Sequence, residues 1–256
     1  MPEDSGANRS VKKPWYIDGF GAHYLELYAH RNEREAEQAL KLLTLAGLPL
    51  KGLRVLDLAC GGGRHLRQLR RRGAKPLGLD LSRPLLEEAQ KNLPRDLSLL
   101  RADMRKLPLQ DETFSLVLCM FTSFAYFQSD RENWSVLHEV ARVLEDGGHY
   151  LLDFLNRGSL QIQAESEREG EHFRALESRR IEKGRVHKKV RILDRVTLEE
   201  KLEYEESVRL YSRSEIRDAA EESGLTLVQE WGTYLGDPWE EGKSPRLILL
   251  FQRVPR

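Results

Sequence analysis

Cysteine is nearly missing from this chain. Two thiols, Cys60 and Cys119, serve 256 residues, which excludes a disulfide-stapled secreted scaffold and a cysteine-rich metal domain. Both fall in apolar runs at expected strand ends and read as buried thiols in a reducing compartment. Long hydrophobic runs are missing too: none approaches the roughly 18 residues of a membrane span, so no membrane partner is expected. The segment from Met1 to Lys13 is polar and lacks the apolar core of a signal peptide. Residues 1–14 read as a disordered tail, and a cytoplasmic location follows as an expectation. Net charge is absent, because 41 Lys and Arg balance 41 Asp and Glu. Non-specific nucleic-acid binding rests on phosphate neutralisation, so no nucleic-acid partner is expected. No internal repeat is visible. No His/Cys/Asp set has metal-ligand spacing, so no metal is expected. Proline does not occur between Pro108 and Pro238.

What is present is an alternation of two periodicities. Helical spacing runs from Ala22 to Leu45 and is stopped by Gly47 and Pro49. Short apolar runs then alternate with helices. Strands are expected at Leu53–Leu58, Pro76–Leu81, Leu97–Arg101, Phe114–Phe121 and His149–Leu155. Helices are expected at Arg64–Arg72, from the Ser82 N-cap to Asn92, and at Asp130–Leu144. Asp146-Gly147-Gly148 reads as a turn. Such alternation builds a parallel sheet through right-handed crossovers. From about Gln163 to Tyr211 the pattern changes to dense charge. Apolar residues there often fall at alternate positions (Val186, Val190, Ile192, Val196, Leu198, Leu202, Tyr204, Val208, Leu210). Period two with polar residues between reads as antiparallel strands with one wet face, with Gly184 closing a hairpin. A helix over Ser214–Ser223, stopped by Gly224, and strands Leu225–Trp231 and Arg246–Arg253 complete the chain.

The most informative stretch is Val55-Leu-Asp57-Leu-Ala59-Cys-Gly61-Gly62-Gly63-Arg64. A buried strand stops at three glycines and a helix begins. Glycine tolerates φ > 0 and leaves room for a ligand, and the helix aims unpaired N–H groups at that space. The second strand ends in Asp80, 19 residues after Gly61, where an acid can accept both hydroxyls of a ribose. A dinucleotide fingerprint requires a third glycine for close helix–strand packing, but that position is Leu66. Asp57 would add negative charge beside a pyrophosphate; it suits a cationic amino-acid end, or else only pins the glycine loop.

These residues resemble motif I of the class I S-adenosylmethionine-dependent methyltransferases. Gly78-Leu-Asp80-Leu81-Ser82 resembles their ribose-binding strand end, and Arg101-Ala-Asp103-Met104 their adenine loop. Leu144-Glu-Asp-Gly147-Gly148 resembles the turn before strand five. The four motifs occur in family order between Lys51 and Asn156. The resemblance implies an α/β fold: a Rossmann-like seven-stranded sheet with helices on both faces, plus the inserted antiparallel flap. It divides the chain into an N-terminal helical cover (15–50), a cofactor-binding core (51–160), the insertion (161–211) and the C-terminal part of the core (212–256). It implies S-adenosylmethionine as cofactor. Ala59, Gly61 and Gly63 would line its methionine part, Ala59 standing where glycine is frequent. Asp80, Leu81 and Ser82 would meet the ribose and adenine, Asp103 and Met104 the adenine edge. The strand-four exit, Met120-Phe121-Thr122-Ser123, would pass under the sulfonium. By the same analogy Tyr16, Phe20, Tyr28 and Arg31 would close over the methionine end, while His65 would contact cofactor or cap the turn.

The acceptor is less legible. Phe121, Phe124, Tyr126 and Phe127 form an unusually aromatic loop after strand four. Rings of this kind attract a sulfonium or an amine, and Tyr126 is the candidate catalytic residue. The family's nucleic-acid and protein amino-methyltransferases carry Asn/Asp-Pro-Pro-Tyr-like segments here, and this chain has no such prolines. The expectation is methyl transfer to N, O or C of a small molecule. A non-catalytic cofactor-binding or regulatory protein, or a nucleic-acid or protein methyltransferase, is the alternative, and a homodimer stays open. Tyr211, Tyr234, Trp239 and Arg246 are candidates for the acceptor side that the sequence does not place.

Overall fold

The computed structural model describes residues 33–160 and 165–255. The part of the expected first helix before Glu33, and the candidates Tyr16, Phe20, Tyr28 and Arg31, lie outside the described residues.

A seven-stranded sheet organises the chain. Its strands are β1 (Arg54–Leu58), β2 (Lys75–Asp80), β3 (Ser98–Arg101), β4 (Phe114–Cys119) and β5 (Leu144–Leu155). The last two, numbered after the insertion, are β10 (Leu225–Trp231) and β11 (Arg246–Arg253). Their order is β10-β11-β5-β4-β1-β2-β3. The five strands from β3 to β5 run parallel, and β11 is antiparallel to both its neighbours. The chain starts in the middle at β1, steps outward to β2 and β3, then crosses back to β4. The crossing direction therefore reverses between β1 and β4, which opens a crevice beyond their carboxyl ends.

Central strands have neighbours on both faces, so successive side chains enter opposite cores. Leu56, Val117, Leu152 and Leu249 face Val136, Leu137 and Val140 of α4 (Asp130–Val143) and Ile216 and Ala220 of α5 (Arg213–Glu222). Val55, Leu116, Leu151 and Ile248 face Ala39, Leu42 and Leu43 of α1 (Glu33–Leu45) and Leu69 of α2 (Arg64–Arg71). Near-continuous apolar strands are the sequence signature of this arrangement. The remaining crossover helix, α3 (Arg83–Asn92), starts at Ser82, whose Oγ accepts from Leu85 N–H. Ser129 and Ser212 cap α4 and α5 with full capping boxes.

The expected Asp146-Gly147-Gly148 turn is instead an irregularity inside β5, which begins at Leu144. Gly147 takes φ 76°, and the pairing of β4 with β5 shifts between Phe114 and Leu116. A bulge absorbs the bend without ending the strand.

The charged segment forms a separate four-stranded antiparallel sheet: β6 (Glu165–Glu169), β7 (Phe173–Glu182), β8 (Arg185–Asp194) and β9 (Glu200–Arg209). Lys183 and Gly184 close the β7–β8 hairpin at φ 49° and 69°. Phe173, Ala175, Val190 and Ile192 are buried on one face with Leu202 and Tyr204 packed against them. Val196 and Leu198 depart from the expected alternation. They lie in the β8–β9 turn, exposed, and the alternation there is a coincidence of composition.

Candidate active site

The crevice holds an open cavity at the ends of β1, β2 and β4. Ala59 and Gly61 bring the glycine turn to it, Asp80 and Leu81 the end of β2, and Asp103 and Met104 the loop after β3. Tyr126 and Phe127 of the strand-four loop form the facing wall, with Ser123 beside them. The two motif-bearing strand ends and the aromatic loop, distant in sequence, thus meet around one space. Leu79, Leu85 and Ala102 complete its apolar lining. Sequence reading gave none of these three a site role. Leu85 is legible only in retrospect, three residues past the Ser82 cap, where the first turn of α3 faces the strand ends.

The turn is shaped by backbone geometry. Gly61 and Gly63 lie at φ 53° and 80°, and Ala59 at φ 62°. Ala59 therefore occupies a left-handed position where glycine is the unstrained choice. Gly63 begins α2 without any side-chain cap, leaving the first N–H groups of that helix to other partners. The missing third glycine has a structural counterpart on the strand. Leu66 is fully buried, and a Cβ on Gly78 would stand 2.5 Å from its Cδ1, 2.9 Å from Cys60 Sγ and 2.9 Å from Leu99 Cδ2. Close helix–strand contact is achieved by removing a side chain from β2 rather than from α2.

Asp80 is the hinge of the cavity. Its Oδ2 accepts from Gly61 N–H at 2.8 Å and its Oδ1 from Ser82 N–H at 2.8 Å. A carboxylate offers about four acceptor sites, so capacity for further donors remains. Burial raises its pKa, against the lowering effect of the Ser82 and Gly61 N–H groups. Ser82 itself caps α3 and does not line the cavity. Asp103 is held by Arg105, which donates to both carboxylate oxygens. Burial opposes its charge, but Arg105 prevails and keeps the carboxyl below its ordinary value. The same guanidinium lies 4.3 Å from the Phe127 ring centroid and pairs with Glu132 on α4. Arg105 thereby fixes two walls of the cavity, a role no motif announced.

Behind the glycine turn lies a buried acid–base pair. Asp57 on β1 and His65 on α2 approach to 4.0 Å, Nδ1 to Oδ2, at 1% and 4% exposure. Asp57 Oδ2 and His65 Nε2 have no hydrogen-bond partner among the described residues. Burial pushes Asp57 up to about 7, with Arg64 opposing and nearby Asp80 reinforcing. Burial, then Arg64, pushes His65 down to about 3.

The β4 exit takes an unusual course. Phe121 and Thr122 are consecutive residues at φ 57° and 62°, and Ala125 follows at φ 73°. The Phe121 ring packs 5.5 Å from His65, with the Arg64 guanidinium 3.8 Å from its centroid. Of the four loop aromatics, Phe124 is fully buried core, while Tyr126 and Phe127 line the cavity. Gly63, His65, Met120, Phe121 and Thr122 border the glycine turn and the β4 exit without lining the cavity.

The insertion is attached to this loop. Arg209 N–H donates to Ala125 C=O at 2.9 Å, and Arg185 Nη2 to Phe127 C=O at 3.1 Å. Tyr211 is buried and structural: its hydroxyl donates to Asp130 and accepts from Asn133, which also accepts from Phe127 N–H. Trp239 packs on the main core. Tyr234 and Arg246 stand at the β4 exit, where both donate to Asp153.

Comparison with known proteins agrees with this geometry. Residues 55–148 match the family model described as "Methyltransferase domain". A cypemycin N-terminal methyltransferase from a Streptomyces species is 29% identical over 217 residues, 79% of this chain and 84% of that protein. A dTDP-3-amino-3,4,6-trideoxy-alpha-D-glucopyranose N,N-dimethyltransferase from Streptomyces venezuelae is 38% identical over 94 residues, 37% of this chain and 39% of that protein. The crystal structure of the sugar N-methyltransferase KedS8 from Streptoalloteichus superposes with a TM-score of 0.74 at 20% identity, covering 100% of this chain and 99% of that one. The doubly wound sheet, the acid-flanked glycine turn and the match across the core agree: residues 55–148 form a methyltransferase domain, and the chain has the fold and cofactor crevice of the S-adenosylmethionine-dependent methyltransferases it resembles.

Proposed function

We propose that this enzyme methylates the amino group of a small molecule. The observation that carries the choice of nitrogen is the state of the titratable groups at the β4 exit. Asp153 accepts from Phe121 N–H, Tyr234 and Arg246, which occupies both of its oxygens. His65 is far too weak a base at a pKa of about 3. Burial, then Asp153, raises Tyr234. Asp57, at about 7, is sealed behind the glycine turn at 1% exposure and does not line the cavity, so it is out of reach of an acceptor. Asp153, His65 and Tyr234 at the exit are each unsuited to deprotonate a hydroxyl or a carbon acid near neutral pH. A neutral amine brings its own lone pair and needs no base before attack. The relatives named for N-terminal and N,N-dimethyl transfer support the same choice.

The residues present suit the cofactor. It supplies a methyl on a sulfonium, and the protein supplies position and environment. Asp80 would accept the two ribose hydroxyls on its remaining lone pairs. Leu81, Leu85 and Met104 would sandwich the adenine, and Asp103, fixed by Arg105, would accept from its amino group. Asp57, whose Oδ2 lacks a partner, would balance the methionine ammonium near Ala59, Gly61 and Gly63, with His65 Nε2 beside it. Tyr126, Phe121 and Thr122 would border the reacting end, where an aromatic face favours cationic groups. Low cysteine content supports a cytoplasmic location.

The test is methyl transfer from cofactor bearing a deuterated methyl to paired acceptors. Amino sugars and free-amine peptides are set against analogues in which hydroxyl replaces the amine. Label on nitrogen, with none on the hydroxyl analogues, is expected. Label on oxygen alone would overturn the nitrogen assignment and leave the cofactor assignment standing.

A further inference from the structure

The β4 exit is strained, and an ion pair between the next two strands, β5 and β11, grips it. Left-handed backbone is uncommon for any residue with a Cβ and a marked outlier for a β-branched or bulky one. Phe121 and Thr122 adopt it in succession. Such geometry persists only where the surroundings over-determine it. Here they do so from the adjacent strand. Asp153 of β5, fully buried, accepts Phe121 N–H on Oδ2 at 2.7 Å, and its own C=O accepts Thr122 N–H at 3.0 Å. Arg246, the first residue of β11, donates Nε to Asp153 Oδ1 at 2.7 Å and Nη2 to Thr122 Oγ1 at 2.8 Å. Tyr234 donates to Asp153 Oδ2 from the other side. One planar guanidinium thus holds the carboxylate that grips the turn and, with a second donor, the turn itself.

The location gives the clamp a purpose. Phe121 abuts His65 and Arg64 at the start of α2. Ser123, two residues later, lines the same cavity as Ala59, which is also left-handed. Both lips of the crevice are therefore held in conformations that a relaxed chain would leave.

We infer that Arg246 is a positioning residue: with Asp153 it locks the Phe121–Thr122 turn into the shape that sets Ser123 and the loop beyond it against the sulfonium end of the bound cofactor. This rests on the cofactor reading given above. Apolar residues of like volume would fill the same space, but only a guanidinium, with Nε and Nη2 fixed in one plane, holds carboxylate and hydroxyl together.

Calorimetry on the full chain tests it with three ligands. S-adenosylmethionine carries the methyl and the positive sulfur, S-adenosylhomocysteine lacks both, and adenosine lacks the whole amino-acid end. Arg246→Met is expected to weaken S-adenosylmethionine about tenfold, S-adenosylhomocysteine about threefold, and adenosine not at all. Arg246→Lys restores charge to Asp153 without the Thr122 bond, and Thr122→Val removes that bond from the other side. Each is expected to give the same intermediate loss, and the Arg246→Lys/Thr122→Val pair no more than either alone. Should Arg246→Met fail to fold by circular dichroism, these two variants decide. An unchanged ratio of S-adenosylmethionine to S-adenosylhomocysteine affinity in the folded variants overturns the inference. Failure of the unmodified chain to bind either ligand overturns the cofactor reading instead, so the two failures are distinguishable.

Discussion

Replacing Asp57 by Asn should change how stability depends on pH, because Asp57 and His65 act on it in opposite directions. In the unfolded chain near pH 5 the aspartate is ionised and the histidine protonated. In the folded chain Asp57 titrates at about 7 and His65 at about 3, so both are neutral and the single proton has moved from imidazole to carboxyl. Folding takes up no net proton from the pair between about pH 4 and 6.5, and its contribution to the slope is near zero. Alone, His65 binds its proton only when unfolded, so stability rises with pH by about 1.4 kcal/mol per unit. Alone, Asp57 binds its proton only when folded, so stability falls at the same rate. Urea unfolding of wild type, Asp57→Asn, His65→Gln and the double variant between about pH 4.5 and 6 reads these slopes. Subtracting wild type removes every other titrating group. The Asp57→Asn difference should climb by about 2 kcal/mol over that window, the His65→Gln difference should drop by about 2, and the double variant should return to level. Two flat difference profiles, or two slopes of one sign, would refute the argument that burial has neutralised both groups.

Three further outcomes follow from the same site. Cofactor affinity should strengthen as pH rises toward 7, by up to about tenfold per unit, as Asp57 gives up its proton to face an ammonium. It should decline above about pH 8 as the α-amino group of the cofactor itself deprotonates, and Asp57→Asn should flatten the acid limb; calorimetry across this range checks it. Gly78→Ala should cost about 1–3 kcal/mol in denaturant unfolding, since its Cβ meets Leu66, Cys60 and Leu99 together in a packed interior. Ala59→Gly should raise stability by about 0.5–1 kcal/mol by relieving a left-handed backbone; a loss of stability would show that the Ala59 methyl packs to advantage.

Much of this was legible in the chain because it is local. Apolar runs, the Ser82 cap and the Gly184 hairpin each reflect chemistry within a few residues, and the two closing strands were read at Leu225–Trp231 and Arg246–Arg253, as found. Asp80 was visible because a strand end fixes its spacing from the glycine turn. The bulge at Gly147 was misread as a turn because a glycine pair bends a strand and ends one with the same residues. The Arg105 contact with Glu132, the Asp153 contact with Arg246 and the Arg185 contact with Phe127 were illegible because these partners lie 27 to 93 residues apart, and nothing in composition announces a long-range pair. Tyr211 looked like an acceptor-side residue for the same reason, until its hydroxyl was found between Asp130 and Asn133.

The central claim is that the crevice between β1 and β4 is built for S-adenosylmethionine, with Asp80 at its hinge. Calorimetric titration of the cofactor into wild type and Asp80→Ala tests it most directly, with S-adenosylhomocysteine and NADH as comparisons. The account predicts one site of about micromolar affinity for both sulfur nucleosides, no heat with NADH, and loss of binding in a folded Asp80→Ala variant. Absence of heat and of thermal shift with both sulfur nucleosides, or undiminished binding after loss of the Asp80 carboxylate, would contradict it.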